Sequence, residues 1–248
     1  MSESLPVSAS SSKFYRMQEY YPKLSSVSFP AMFVPVSQEV LAALASGDVE
    51  SGTVKKFVYE KLTPAMKNIP SPRFVSVDIA APLDSPDFPS RRGAVGRGME
   101  AWKLLASSPK IRTLAGEGKI EAIVIRPFRR MDIPREFRLF IKDGKLVGMS
   151  QYHLVRHFRR LVEREEEYMG KVKDFVKEIA PLLPEKDIVA DIYFTHSRRI
   201  ILVDLNAWGA PTDPKMFKWE SSPFQAEKPL YGIVPSPQTV SGELKVKF

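Results

Sequence analysis

The chain has 248 residues, of which 44% are apolar, enough for one large domain or for two small lobes that share a cleft. It contains no cysteine, which excludes disulfides and cysteine-ligated zinc and agrees with a reducing compartment. No apolar run approaches the roughly 20 residues of a membrane span, so we expect a cytoplasmic protein. The net charge of +8 is compatible with an acidic protein, a nucleotide or a nucleic acid as partner, although single basic clusters are usually ordinary solvated surface.

Composition predicts four segments. Residues 1–13 are serine-rich without an apolar core and predict a disordered leader. Residues 14–119 form the expected N-terminal lobe with a glycine loop, and residues 120–220 form the expected C-terminal lobe. Residues 221–248 contain four prolines and weak periodicity, which predicts a tail that wraps the body or is mobile.

In the first half, hydrophobic spacing alternates between helical and strand patterns. Ser37 is a suitable N-cap for the helix that follows it. The glycines of 93–98 are not in Rossmann order, so a mobile loop is the better interpretation. The predicted elements are helices over 14–21, 37–44, 53–67 and 99–107, strands over 31–36 and 74–79, and a long loop over 81–92.

The second half is more regular. Asp143-Gly144 is a strong hairpin signal, because both residues accept positive φ. The predicted elements are strands over 120–125, 136–142, 145–152, 188–195 and 199–205, and one amphipathic helix over 162–179. Hairpins separated by helices indicate an α+β fold with antiparallel sheets, not a doubly wound parallel sheet.

An acid and an amide lie two positions apart on the last predicted strand. Side chains two apart on a strand share a face, so Asp204 and Asn206 point the same way, and a hairpin can bring Asp191 beside them. Oxygen ligands of this kind suit Mg²⁺, which completes its shell with water and substrate phosphates. The pattern predicts metal-assisted handling of a nucleotide triphosphate. The alternative is a polar outer face of an exposed hairpin.

Several motifs occur in order from about residue 14 to 220. They are Tyr20-Tyr21-Pro22, the strand 31–35, the segment 74–84, Pro134-Arg-Glu-Phe-Arg138, the hairpin 140–152, Asp191-Ile-Tyr, Val203-Asp-Leu-Asn-Ala-Trp208, Thr212-Asp213 and Phe217-Lys-Trp-Glu220. No single motif is specific, but the ordered set resembles the cell division cycle protein 123 family, a branch of the ATP-grasp superfamily.

This resemblance implies an ATP-grasp fold, in which two lobes with antiparallel sheets clamp a nucleotide cleft, with ATP and Mg²⁺ as cofactors. Asp191, Asp204 and Asn206 fall on metal-binding positions. The implied nucleotide-binding residues are Ser76, Asp78, Arg126 for phosphate, Phe128 near the adenine, Glu136 and Arg138, with Arg138 also the catalytic candidate.

One departure from the family pattern concerns phosphate binding. Where the family has a lysine that would contact phosphate, this chain has Ser76, which carries no charge. Arg73 lies on the opposite strand face by the period-two rule, while Arg91, Arg92 or Arg97 could substitute. The substitution puts nucleotide affinity or turnover in question.

Two functions from different classes follow. The first is an ATP-dependent, ligase-like or phosphoryl-transfer enzyme of unknown substrate. The second is a nucleotide-gated binding or assembly factor for a translation-related protein complex, without turnover. Both include a protein or peptide partner, neither involves a membrane, and nucleic acid is only weakly supported.

Overall fold

The structure is a computed structural model that describes residues 15–219, 224 and 228–236. The predicted leader over 1–13, the first residue of the predicted helix 14–21 and much of the predicted tail lie outside the described residues. The chain divides into two compact units. Their described parts fall within 1–131, 182–185 and 201–205 for the first unit, and within 132–181, 186–200 and 206–248 for the second.

Nine α-helices occur in the described part of the chain. Those of the first unit are α1 (Met17–Leu24), α2 (Gln38–Ser46), α3 (Gly52–Phe57), α4 (Thr63–Lys67), α5 (Phe88–Arg91), α6 (Gly98–Ala106) and α7 (Pro109–Gly116). Those of the second unit are α8 (Arg159–Glu163) and α9 (Glu165–Ile179).

The described strands form two sheets. The first has the order β1-β4-β2-β3 and is antiparallel throughout, with β1 (Met32–Pro35), β2 (Arg73–Val77), β3 (Ala94–Val95) and β4 (Ala122–Pro127). The second has the order β8-β7-β5-β6-β9, with β5 (Glu136–Lys142), β6 (Lys145–Gln151), β7 (Ile188–Phe194), β8 (Ile200–Ala207) and β9 (Leu230–Gly232).

The core of the first unit lies on one face of its sheet. Ile123 and Ile125 of β4 alternate with residues of the other face, and Val75 and Val77 of β2 join them against the helices. Trp102 of α6 is fully buried in this cluster. Ser37 caps α2 as predicted, because its hydroxyl accepts the Val40 N–H at 3.4 Å.

The predicted helix over 53–67 is interrupted. α3 runs into a π-helical turn over Val58–Leu62, closed by the Thr63 N–H donating to the Val58 carbonyl, and α4 follows. Pro64 has no N–H to donate to the carbonyl four residues earlier, so the regular pattern cannot run through it. The periodicity was right, but the local geometry was not predictable from it.

In the second unit β5 and β6 form the predicted hairpin, with Asp143 at φ 50° and Gly144 at φ 70°. Three expectations need correction. The predicted helix over 162–179 is two helices separated at Arg164. In the first unit, α7 was not predicted. Within the predicted tail, β9 pairs in parallel with β6, so this sheet is mixed; its partner is remote in sequence and no local pattern reveals it.

Aromatic side chains pack on both faces of the second sheet. Phe137 contacts Tyr168 and Phe194, which ties β5 and β7 to α9. On the opposite face Phe140 is fully buried within a second aromatic cluster, whose other members are Trp208, Phe217, Trp219 and Phe224. This packing holds β5 rigidly at the centre of the sheet.

A membrane span was not expected. Every helix in the described portion of the chain is too short or too polar to cross a bilayer.

Two glycines give opposite stability predictions. A Cβ at Gly98 would lie 2.3 Å from the Thr63 Oγ1 and 3.0 Å from the Val58 Cγ1, whereas a Cβ at Gly170 meets nothing within 4 Å. We expect Gly98→Ala to lower the free energy of unfolding by about 1–3 kcal/mol through overpacking. Gly170→Ala, in the exposed interior of α9, should raise it by about 0.5–1 kcal/mol. Urea denaturation of both variants checks this, and equal effects would contradict it.

Candidate functional site

A buried ion pair lies at the centre of the second sheet. Arg138 of β5 and Asp191 of β7 are direct partners in the antiparallel register. The Arg138 Nε donates to the Asp191 Oδ1 at 2.7 Å, and its Nη2 donates to Oδ2 at 2.8 Å. Both residues are less than a tenth exposed. This bidentate geometry is the strong form of a charge-assisted hydrogen bond.

The rest of the guanidinium is also engaged. Its Nη1 donates to the Asp213 carbonyl at 2.7 Å, and the group stacks on the Tyr152 ring at 5.3 Å from the centroid. Burial acts to lower the pKa of Arg138, but the hydrogen bonds and charge of Asp191 outweigh it, so the pKa is raised. Arg138 is therefore a permanently charged, immobile group.

The Asp191 carboxylate orients an amide. The Asn206 Nδ2 donates to the Asp191 Oδ2 at 3.2 Å, so the amide oxygen of Asn206 is left to face another group. Asp191 thus accepts three hydrogen bonds, two from Arg138 and one from Asn206. Of the predicted site residues, Arg138 and Asn206 are therefore brought together by their shared contact with Asp191.

More polar groups line the same face of the second sheet. The Glu136 Oε1 lies 3.1 Å from the His153 Nε2. Lys215 lies over the Tyr152 ring at 4.3 Å and pairs with the Asp213 carboxylate at 2.9 Å. Burial tends to raise the pKa of Asp213, but the Lys215 backbone and side chain outweigh it, so the pKa is lowered.

Sequence reasoning quoted Thr212-Asp213 only as a motif and gave no role to Lys215. Tyr152 was quoted only as the end of a hairpin motif. Asp213 lies beside β5 through a tertiary contact, which the spacing of the motifs did not reveal.

Asp204 is held within the first unit. The buried Tyr20 hydroxyl donates to the Asp204 Oδ1 at 3.1 Å, while Asp204 itself is exposed. Burial, together with the Asp204 charge, raises the pKa of Tyr20 well above its ordinary value, so Tyr20 stays a donor. Tyr20 was expected to be a core aromatic, and it is buried, but it also fixes a candidate metal ligand.

Arg126 and Phe128 flank Pro127, the last residue of β4. The Arg126 Nη1 donates to the Val203 carbonyl at 3.0 Å, and its guanidinium lies 5.5 Å from the Phe74 ring centroid. Phe128 is half-buried and its backbone N–H donates to the Pro72 carbonyl at 2.9 Å. Arg126 is thus oriented by two contacts within its own unit.

Ser76 and Asp78 lie in the interior of the first unit. Ser76 is 4% exposed and Asp78 is 3% exposed. Asp78 forms an ion pair with Arg16 and accepts the Glu121 N–H at 3.3 Å. Burial raises the pKa of Asp78, although Arg16 works against the shift. These contacts give Asp78 a structural role that joins the start of α1 to β2 and β4.

The chemistry of the donor set was tested against Mg²⁺. Among residues 15–219, 224 and 228–236, no three His, Cys, Asp or Glu side chains cluster as a metal site would require. The predicted set has only two acids and an amide, so Mg²⁺ would need water and phosphate oxygens to complete its shell. The amide oxygen of Asn206 is a donor of this kind, whereas Asp191 is already bound on both oxygens and orients Asn206.

The fold has a counterpart of known structure. It is similar to C-terminally truncated Cdc123 from Schizosaccharomyces pombe, with a TM-score of 0.78 and 19% identity over 94% of this chain and 100% of that chain. Full Cdc123 from the same yeast gives a TM-score of 0.78 and 18% identity. The prediction of an α+β fold with antiparallel strand pairs is confirmed, and the chain divides into two compact units.

Sequence comparison then gives the family. The D123 family model matches residues 110–232. The translation initiation factor eIF2 assembly protein of Xenopus laevis is 32% identical over 99 residues, 40% of this chain and 29% of that protein. Cell division cycle protein 123 of Candida glabrata is 32% identical over 99 residues, 39% of this chain and 28% of that protein. These matches bear out the resemblance to the cell division cycle protein 123 family that the motifs predicted.

The matched segment spans less than a third of the length of these curated relatives. The family-model match over 110–232 includes β5 to β9 and therefore the Arg138–Asp191 pair and Asn206.

The buried pair predicts a large stability effect. Asp191→Ala leaves a buried guanidinium without its counter-ion, so we expect a loss of about 3–5 kcal/mol in the free energy of unfolding. The control is Glu163→Ala, which breaks the exposed Arg159–Glu163 pair of α8 and should cost no more than about 0.5 kcal/mol.

A double variant separates charge from packing. Arg138→Met with Asp191→Leu removes both charges and should recover much of the loss seen in Asp191→Ala. Chemical denaturation measures all three variants, and a double variant less stable than Asp191→Ala would contradict this account.

Proposed function

We propose that this chain binds Mg-ATP and acts as a nucleotide-gated assembly factor for a protein of the translation machinery, in the cytoplasm. The observation that carries the proposal is the Arg138–Asp191–Asn206 cluster. A buried ion pair is costly to maintain in a sheet centre, and it presents an oriented amide and a fixed positive charge on one sheet face. Such pre-organisation suits recognition of phosphate and its metal ion.

In this proposal each residue has a stated task. Asp204 and Asn206 would hold Mg²⁺ through oxygen atoms, and Asp191 would orient Asn206. When bound, Mg²⁺ would neutralise charge on the phosphate oxygens. Arg126 would contact phosphate, Phe128 would pack near the adenine, and Glu136 would lie near the nucleotide.

Assembly is favoured by what related proteins are. The Xenopus laevis relative is described as a translation initiation factor eIF2 assembly protein. We propose the same type of role for this chain. Because the chain matches under a third of that protein, the proposal does not name an individual partner.

Gating without turnover is favoured by Ser76. This buried, neutral residue stands where the family's lysine would contact phosphate, so the grip on the transferred group lacks one charge. ATP would then stabilise a partner-binding conformation by its differential affinity, without being consumed.

A ligase-like enzyme is the second candidate, and one observation favours it. Arg138 has five N–H donors, of which three are used by Asp191 and Asp213. The remaining donors could stabilise charge on a transferred phosphoryl group, with positioning as the main catalytic device.

Nucleotide binding is tested by thermal unfolding. ATP with Mg²⁺ should stabilise the wild type by about 2.7 kcal/mol at one hundred times the dissociation constant. Asp204→Ala with Asn206→Ala should abolish the Mg²⁺-dependent part of this stabilisation. Asn68→Ala, an exposed asparagine in the first unit, is the control and should respond like the wild type. No shift of the wild type at millimolar Mg-ATP would overturn the proposal.

Turnover is tested separately. We expect no ADP or AMP above background when purified protein is incubated with Mg-ATP, because binding alone is the proposed role. A coupled assay for ADP and chromatography for AMP measure this, with and without cell extract. Steady product formation that is lost in Arg138→Lys, a variant that keeps charge but not the bidentate fork, would replace gating with the enzyme reading.

A further inference from the structure

A cationic groove lies in the first unit, on residues that the proposed nucleotide site does not use. It encloses about 590 Å³ and is bordered by α3, the π-helical turn, α4, the start of β2 and the loop before α6. Its lining includes four cationic side chains and no acidic one, namely Lys55, Lys67, Arg73 and Arg97. The rest of the lining that matters here is apolar: Val58, Tyr59, Met66 and Met99.

We propose that this groove is a docking site for an acidic linear segment of a partner protein, one that carries an apolar side chain between carboxylates. The carboxylates would pair with Arg73, Arg97 and Lys67, and the apolar side chain would contact Tyr59 and Met99.

Charge complementarity supports an anionic occupant. Lys67 and Arg97 are exposed and form no ion pair with any residue that the structure describes. Lys55 makes only a loose 3.5 Å pair with exposed Glu50. Like charges gathered around a concave surface raise the local potential, and a carboxylate relieves the repulsion.

Arg73 is fixed for such a contact. Its Nε donates to the Ile69 carbonyl at 2.7 Å, and its Nη1 donates to the Gly96 carbonyl at 3.1 Å. Backbone carbonyls orient the guanidinium without neutralising it, so the remaining donors can still meet a carboxylate.

Arg97 breaks a local rule. It occupies the N-cap of α6, where its side chain makes no capping bond, and it puts a positive charge at the positive end of the helix. Glu100 does the capping instead, accepting the Gly96 N–H at 2.9 Å and the Arg97 N–H at 3.3 Å. A residue that is unfavourable for its own helix is expected where it serves a ligand.

The apolar wall points to a peptide more than to a free anion. Tyr59 is 81% exposed, although it is a large ring beside a groove. It lies in the π-helical turn, a rare irregularity that often occurs at functional sites. Methionines adapt to different side chains, and exposed aromatic rings anchor peptide partners. A polynucleotide would not require Met66 and Met99.

The test uses a fluorescein-labelled nonapeptide of alternating glutamate and leucine, with fluorescence anisotropy as readout. We expect saturable binding to the wild type and a loss on the order of tenfold or more in Lys67→Glu with Arg97→Glu. Tyr59→Ala should also weaken binding. The matched control is Lys171→Glu with Lys173→Glu on α9, which changes the net charge equally and should bind like the wild type.

Two further arms make the result decisive. A peptide with glutamine for glutamate should not bind, and polyuridylate should bind no better to the wild type than to the groove variant. Hydrogen exchange should show protection of 55–67 and 96–99 by the acidic peptide. No binding, equal loss in the α9 control, or polyuridylate binding that depends on Lys67 and Arg97 would overturn the proposal.

The groove and the nucleotide site fail independently. Asn206→Ala should lose Mg-ATP stabilisation and keep peptide binding, while Tyr59→Ala should weaken peptide binding and keep Mg-ATP stabilisation. Thermal unfolding of each variant in the absence of ligand confirms that the fold is retained.

Discussion

The ion pair between Arg138 and Asp191 is the constraint on which the second unit depends. Two charges opposite each other in a central strand pair are costly to bury unless they are paired and supported by further hydrogen bonds. The bidentate contact, the Asp213 carbonyl, the Asn206 amide and the Tyr152 ring meet that requirement together. The register of β5 on β7 and the path of the chain around Asp213 are therefore coupled to one polar cluster. The aromatic packing of Phe137 and Phe140 on the two faces keeps that strand in place.

Charged residues in the first unit show a different use of the same chemistry. Asp78 is engaged by Arg16 and a backbone N–H, and Tyr20 holds Asp204 by its hydroxyl. Asp78 fixes the start of α1 against the sheet, whereas Asp204 remains exposed. Asp78 directly follows β2, and Asp204 lies within β8. Burial separates them, because Asp78 is in the interior and stabilises the fold, whereas Asp204 is exposed.

The cationic groove belongs to neither role. Arg97 is a poor N-cap, the neighbouring π-helical turn interrupts a regular helix, and Tyr59 exposes a large ring. Each of these is unfavourable for local stability. They occur together along one concave surface, which Thr63 and Gly98 also line. The proposed assembly role would need both a nucleotide site and a surface for the partner protein, and separate sites would allow the two to be coupled.

The sequence by itself determined the elements whose cause is local. The Asp143-Gly144 turn, the Ser37 cap and the alternation of β2, β4 and β5 follow from neighbouring residues, and the ordered motifs were enough for the family. The sequence identified Arg138, Asp191 and Asn206 as site residues, but it did not predict how they are arranged. Only the tertiary structure decided that Asp191 pairs with an arginine 53 positions away, that β9 joins β6 in parallel, and that Ser76 and Asp78 are buried. It also gathered Arg73, Arg97 and Lys67 around one groove. These features depend on which distant strands and helices pack together. Residue spacing along the chain does not predict the tertiary partner of a buried polar side chain.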